Sequence, residues 1–444
     1  MQRVLVTGGA GFIGSYVIDQ LLALGCEVMS FDCLLRQVHP NTPNWPEYQA
    51  DDAHLTKWFG DVRDVVRAVG PALREFKPDT VIHLAAAVGV GQSAHQPGHY
   101  TSTNIGGTAW LLDAISHYNR ESDEMLASLE ELSRTDDIEL QEGETMEAAI
   151  ERVQAELAPA RAELSAKSHG RVERVFIAGS MSSYGEGAYE VTNVWAAGAV
   201  GALGNTYSTA DGEFHTVLTS WRPSPEAWDP PGMKPIPTPE SKPLEPSSIY
   251  AWTKEQQESL ALLWSRVNPG VRVTIGRFFN TYGSRQALSN PYTGVGAIFS
   301  ARVAAGAPPV VFEDGAQSRD FTHVSDVARA VLTITAFGED GEVYNVGTGI
   351  PTSILEVARL IAAPAGLEPI VTNVRREGDI RHCYADNSKL RALGWAPKVA
   401  LADGLAELRA WVEQQPAESA ELLDRATQDL VKHGLITGAP AKGE

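Results

Sequence analysis

Tyr250 and Lys254 stand four apart in Tyr-Ala-Trp-Thr-Lys, a spacing that puts both on one face of a helix. A free phenol titrates near pH ~10 and is a poor base at neutral pH, but a neighbouring ammonium favours the phenolate. Such a pair can take the proton of an alcohol while hydride leaves the carbon that bears it. Upstream, Ala178-Gly179-Ser180-Met181-Ser182-Ser183-Tyr184-Gly185 places hydroxyls at what reads as the end of a strand. There Ser180 can hold the oxygen on which a carbonyl develops. A Tyr and a Lys at this spacing are common by chance. The informative feature is their order after a Ser-rich strand end and, earlier still, a glycine turn.

That turn is Thr7-Gly8-Gly9-Ala10-Gly11-Phe12-Ile13-Gly14. A pyrophosphate approaches backbone only where side chains are absent. Gly8 allows the tight turn, Gly11 the close approach and Gly14 the packing of helix on strand. The helix start then offers free N–H groups to the phosphates. Asp32 follows at the end of the next strand, where a carboxylate accepts from both ribose hydroxyls and repels a 2′-phosphate. This favours NAD over NADP. Asp61, in Gly-Asp-Val, can accept from adenine or cap the following helix.

The elements that must position these groups alternate. Residues 3–7 read as a buried strand, 15–24 as an amphipathic helix and 27–32 as a second strand, a βαβ unit. The reading continues with a helix over 62–76, a strand over 80–84 and a helix over 104–116. After an interruption come a strand over 174–178, a helix over 249–264 and a strand over 272–277. The interruption at 119–169 is acidic, with Leu126, Leu129 and Leu132 and then Met146, Ile150, Val153 and Leu157 at helical spacing. It reads as an inserted helical pair. A second stretch, 187–242, holds Trp195, Trp221 and Trp228, lacks periodicity and ends Pro-rich.

The chain has 444 residues, 36 basic against 56 acidic side chains and a formal charge of −20. That balance disfavours nucleic acid or anionic membrane as partners. Three scattered cysteines fit neither a disulfide framework nor a zinc site. No metal is expected. The start Met-Gln-Arg-Val-Leu-Val reads as a strand and not a leader, and no run approaches the ~18 apolar residues of a membrane span. A cytoplasmic location is expected.

With these residues in place, the chain resembles the extended short-chain dehydrogenase/reductase family, in its nucleotide-sugar epimerase/dehydratase branch. The resemblance covers most of 1–118, 171–186 and 243–412. Besides the stretches above it rests on His83-Leu84-Ala85-Ala86, Asn104 with Gly107-Thr108, Arg277-Phe278-Phe279-Asn280-Thr281-Tyr282-Gly283, Arg319-Asp320-Phe321-Thr322-His323-Val324, Tyr344-Asn345-Val346-Gly347 and Arg376-Glu377-Gly378-Asp379. Residues 289–295 and 85–93 are most similar to bacterial dTDP-L-rhamnose 4-epimerase-type sequences.

The resemblance implies Ser180, Tyr250 and Lys254 as catalytic residues, with Lys254 also on the nicotinamide ribose. It implies that Phe12, Ile13, Val62, Leu84, Ala85, Ala86, Asn104 and Phe278 join Gly8, Gly11, Gly14, Asp32 and Asp61 around NAD. Val88, Ser182, Asn280, Arg319 and Arg376 would meet a nucleotide-diphosphate sugar, the two arginines clamping its phosphates. The alternative for those arginines is surface pairing with Asp320 and Asp379. A homodimer through helices at 105–116 and 250–266 is also implied.

The implied fold is α/β, a doubly wound Rossmann sheet with a smaller α+β substrate domain and two insertions. Residues 1–283 with about 320–348 would form the NAD-binding domain, the rest of 284–415 the substrate domain, and 416–444 a helical appendage and tail. The implied reaction is C4 epimerisation through a transient 4-keto sugar with NAD retained. A 4,6-dehydratase of the branch carries an Asp-Glu pair directly after the catalytic hydroxyl residue, where this chain has Met181-Ser182. A decarboxylase on the same fold and a non-catalytic dinucleotide-binding scaffold are the remaining alternatives.

Overall fold

A computed structural model describes residues 1–39, 42–131, 145–167, 170–193, 203–208, 214–218, 228–288, 294–374 and 379–415. Its centre is a seven-stranded sheet of β1 Arg3–Thr7, β2 Glu27–Asp32, β3 Leu55–Phe59, β4 Thr80–His83, β5 Arg174–Ser180, β6 Arg272–Phe278 and β7 Glu342–Val346. The strand order is β7-β6-β5-β4-β1-β2-β3, and every pairing is parallel. This is a doubly wound sheet whose order reverses between β1 and β4.

The sheet is covered on both faces, which is why its strands read as continuous apolar runs. Successive side chains alternate between two cores. Leu5, Met29, Val81, Ile177 and Val273 pack toward the helices Gly70–Phe76, Gly107–Glu131 and Ile249–Val267. Val4, Val6, Val28, Ile82 and Phe176 pack toward Phe12–Ala23 and Val324–Phe337. A third core, around Tyr282, Phe299, Val311, Val357, Ile361 and Leu408, lies in the C-terminal part.

The two interruptions differ from expectation. The first helix of the expected inserted pair is not separate: Gly107–Glu131 runs unbroken from the sheet-covering segment into the acidic stretch. Its first half is anchored by Leu111, Leu112 and Ile115, and no Gly or Pro stops it until beyond Glu131. The second helix, Met146–Lys167, is present. Leu132 and the rest of 132–144 lie outside the described residues.

The stretch 187–242 is not merely irregular. Ala188–Val191, Leu203–Ser208, Phe214–Leu218 and Met233–Ile236 form a four-stranded sheet with antiparallel pairings. Short strands of four to six residues leave too few alternations to be read as periodicity. Trp195, Trp221 and the segment 416–444 fall outside the described residues.

Candidate active site

The parallel register brings the C-terminal ends of the strands to one edge: Thr7 beside His83, Asp32 beside Phe59, Ser180 beside Phe278. Ligands of open α/β sheets bind outside this edge, at the reversal of strand order.

Gly8 has φ +70°, and a Cβ there would lie 2.7 Å from the Ala85 nitrogen. Gly14 is tighter, since a Cβ would meet the Gly8 carbonyl at 2.2 Å. Both glycines therefore act by letting backbone segments touch. At Gly11, the only atom a Cβ would meet within 4 Å is the Gly8 carbonyl, at 3.1 Å. Gly11 caps the helix Phe12–Ala23 without a side-chain hydrogen bond, and the first turn carries no acidic residue. This is a helix start prepared for an anion.

Asp32 is buried and accepts from the backbone N–H of Ala10 at 3.1 Å and of Leu34 at 2.8 Å. Burial raises its pKa, and those N–H groups together with His39 oppose the rise. Tyr48 donates to the Ala10 carbonyl at 2.7 Å and Gln49 to the Gly9 carbonyl at 2.9 Å. These two braces of the turn escaped sequence reasoning, because they come from an aperiodic connection. The glycine turn, the anion-ready helix start and the carboxylate at the second strand end fit a dinucleotide.

Asp61 faces Arg63, its carboxylate receiving both the guanidinium at 2.6 Å and the Arg63 N–H at 2.8 Å. The cap of the following helix is Asp64 instead. Val62 is buried against the Gly107 backbone. Leu84, Ala85 and Ala86 follow β4, with Leu84 and Ala85 hydrogen-bonded to Thr7. Asn104 is wholly buried, and its amide holds the Ala87 N–H and carbonyl and the Thr253 hydroxyl. It fixes the loop rather than facing outward. Phe278 is stacked on Phe176 in the core, while Val88 is exposed.

Ser180 ends β5 and caps the turn Met181–Tyr184 by accepting from the Ser182 N–H. Its hydroxyl lies 2.7 Å from that of Ser182. Tyr250 is on the helix Ile249–Val267, which starts at a Ser248 cap. The Tyr250 N–H donates to Ser93 at 3.0 Å, and the ring meets Tyr100 edge-on. Burial raises the Tyr250 pKa and a hydrogen bond with Ser180 lowers it. The lowering influence is thus Ser180 and not, as expected, the Lys254 ammonium. Lys254 is buried and donates to the Ala178 carbonyl and to Gln257 Oε1, each at 2.5 Å. Burial pushes its pKa down to about 7 against the pull of Glu258.

Behind this group lies a buried pair, Arg277–Glu258, at 2.5 Å. Arg277 also donates to the Tyr184 hydroxyl, which in turn donates to Asn345. Removing one partner of such a pair leaves an uncompensated charge, so the pair locks the catalytic helix to β5, β6 and β7.

The residues expected at the phosphates are less uniform. Asn280 sits just past β6, and its Oδ1 is buried without a hydrogen-bond partner among the described residues. Arg319 donates to the carbonyls of Ser318, Ile380 and Arg381. It does not pair with Asp320, which is fully buried and accepts from Thr348, Gly349 and Ala385. Arg376 and residues 289–293 lie outside the described residues. The neighbouring Arg381, not anticipated, is wholly buried among Asp229, Glu313 and Asp314 at 2.7–3.0 Å.

Comparison with known proteins agrees with this geometry. The family model described as NAD dependent epimerase/dehydratase family matches residues 228–347, and that of GDP-mannose 4,6 dehydratase matches 5–132. The dTDP-L-rhamnose 4-epimerase of Burkholderia thailandensis is 32% identical over 93% of this chain and 96% of its own length. The UDP-glucose 4-epimerase of Mycolicibacterium smegmatis is 28% identical over 91% and 96%. The solved UDP-glucose 4-epimerase of Thermus thermophilus, complexed with NAD, superposes with TM-score 0.62 at 25% identity, covering 94% of this chain and 100% of its own. The chain belongs to the NAD dependent epimerase/dehydratase family, the nucleotide-sugar branch of the extended short-chain dehydrogenases/reductases, and its cofactor is NAD.

Proposed function

We propose that the chain is a nucleotide-sugar 4-epimerase acting on an NDP-hexose or 6-deoxyhexose. The observation that carries this reading is that Ser180 ends β5 while Lys254, one turn after Tyr250 on its helix, is buried and donates to Ala178 of the same strand, at the sheet edge where the glycine turn lies. The glycine turn, the helix start at Phe12 and Asp32 would hold NAD, which would supply a reversible hydride acceptor for the sugar carbon. Tyr250 removes the proton of the C4 hydroxyl and later gives it back. Ser180 holds the same oxygen, and Lys254 fixes the cofactor ribose and keeps positive charge near the phenol. Asn280, with its unpartnered Oδ1, and Val88 and Ser182 at the sheet edge face the sugar nucleotide. Arg319 and Arg376 belong to the phosphate end.

Met181 stands where a dehydratase carries its acid, and it is buried with Tyr184, Phe279 and Cys383. An apolar side chain cannot move the C5 and C6 protons, which favours epimerisation over 4,6-dehydration. The domain reading places 1–283 with 320–348 around NAD and the remainder of 284–415 around the sugar. Exposed Trp110, Trp252 and Leu263 on the helices Gly107–Glu131 and Ile249–Val267 support a homodimer through those helices. Among the described residues no helix is long and apolar enough to cross a membrane; a cytoplasmic enzyme is the location proposed.

The test is a panel of UDP-, dTDP- and GDP-sugars with products read by NMR. The reading predicts interconverted C4 epimers without net consumption of NAD. Tyr250→Phe should lower turnover by about 100-fold or more. A 4-keto-6-deoxy product, or near-wild-type turnover in the variant, sinks the reading.

A further inference from the structure

Lys254 does not stand alone in the protein interior. It heads a continuous chain of buried hydrogen bonds: Lys254 Nζ to Gln257 Oε1 at 2.5 Å, Gln257 Nε2 to Thr108 Oγ1 at 2.8 Å, Thr108 Oγ1 to the Asn104 carbonyl at 2.6 Å. His83 Nε2 lies 2.9 Å from Thr108 Oγ1, and His83 Nδ1 lies 2.7 Å from Thr7 Oγ1. Thr7, His83, Thr108, Lys254 and Gln257 are all buried. The donors along the chain can be assigned one at a time. The Asn104 carbonyl only accepts, so the Thr108 proton is committed to it. Thr108 Oγ1 then has only lone pairs for its other neighbours. Gln257 must present its NH2 to Thr108, and His83 must carry its proton on Nε2 and accept from Thr7 at Nδ1. His83 is held neutral, burial and the Lys254 charge pushing its pKa down to about 3. The Gln257 amide cannot turn over. A flip would set Oε1 against a lone pair and NH2 against an ammonium.

We propose that Gln257 is a positioning residue for Lys254: its carbonyl oxygen, oriented through Thr108, His83 and Asn104, takes one ammonium proton so that the Nζ stays charged and in place. The Ala178 carbonyl takes a second proton. One donor remains for the catalytic side. The inference rests on the epimerase reading in that Lys254 acts there as a charged group. It goes beyond that reading by tying the charge to a side chain outside the Ser-Tyr-Lys set and to two strand ends, Thr7 and His83, at the reversal of the sheet. Among the described residues no carboxylate pairs with Lys254. Glu258, one turn on, is committed to Arg277; His83 on β4 is neutral, and burial raises the pKa of the Tyr250 phenol on the same helix. With burial pushing Lys254 down to about 7 against the pull of Glu258, the loss or gain of one acceptor at Nζ shifts its charge at neutral pH.

The test uses two substitutions with opposite signs in the full-length protein. Gln257→Met keeps the length and removes the acceptor, so the charged form loses a hydrogen bond. The Lys254 pKa should fall by about one pH unit. Gln257→Glu puts a carboxylate at the same place, and the pKa should rise by about as much. The direct readout is the pH titration of the Lys254 side chain followed at its 13Cε in protein labelled with 13C-lysine, assigned with Lys254→Arg, which leaves every N–H donor in place and needs no turnover. In parallel, the alkaline limb of the kcat profile should move down for Met and up for Glu, with KM for the sugar little changed. Equal losses in both variants with an unmoved Lys254 titration, at unchanged melting temperature, overturn the proposal. Should Gln257→Met fail to fold, the upward shift in Gln257→Glu decides alone. A wild-type protein inactive on every sugar nucleotide sinks the epimerase reading instead, and the NMR titration still judges Gln257.

Discussion

Lys254 sets the pH behaviour expected of the site. In the proposed mechanism it must be charged to hold the ribose, and its pKa lies near 7 because burial removes the water that would solvate the ammonium. Activity that depends on the charge is therefore full below about pH 7 and declines as pH rises through it. A rate profile flat well into the alkaline range would contradict this. Ser180 acts in the opposite direction on Tyr250, since its hydrogen bond is what lowers the phenol against burial. Ser180→Ala should both slow turnover, by about 10-fold or more, and raise the pH of the acid limb. A profile displaced only in height would assign Ser180 to the sugar alone. At this scale the placement of Ser180 at the end of β5 and of Tyr250 and Lys254 on one helix follows the order of motifs. Gln257 was overlooked, although it shares the helical face of Tyr250, Lys254 and Glu258, because an amide carries chemistry only through the partners that orient it.

At the scale of elements, the contact between β1 and its helix is the most constrained feature. A Cβ on Gly14 would lie 2.2 Å from the Gly8 carbonyl, so Gly14→Ala must push the helix Phe12–Ala23 away from the strand. Overpacking of this kind costs about 1–3 kcal/mol, and here it also displaces the N–H groups that meet the pyrophosphate. The variant should melt earlier and bind NAD at least about tenfold more weakly by calorimetry. Unchanged NAD affinity would mean that the turn does not hold the phosphates. Elements with strong periodicity or strong punctuation were legible: the glycine turn, the buried strands and the catalytic helix. The antiparallel sheet at 188–236 was not, since strands of four to six residues carry too short a pattern. The continuation of Gly107–Glu131 was missed for the opposite reason. Its polar second half keeps helical propensity while its apolar stripe fades.

The whole molecule is held together by contacts between distant segments. Arg381 joins Asp229, from the stretch after the antiparallel sheet's third strand, to Glu313 and Asp314 of the C-terminal part. Glu313 is itself buried, so Arg381→Met strands a carboxylate and should cost about 3–5 kcal/mol of stability. Thermal unfolding checks this; an unchanged midpoint would mean that the cluster relaxes into water. Replacing Leu263 by Asp should likewise convert the proposed dimer to monomer in sedimentation, leaving the melting of the monomer nearly unchanged. The sequence by itself determined the glycine turn, the order of the elements of the parallel sheet, and the three residues proposed to bear the chemistry. Each of these is written in local spacing, which the backbone period converts directly into shared faces and tight turns. Tertiary structure alone decided which donors reach which acceptors: Asn104 on the Ala87 loop, Arg319 on three carbonyls, Ser180 rather than Lys254 on Tyr250, and Gln257 on Lys254. Behind them, Asn104 reaches Thr253 and Gln257 reaches Thr108 across 149 positions of chain, and burial forces such polar groups to find partners.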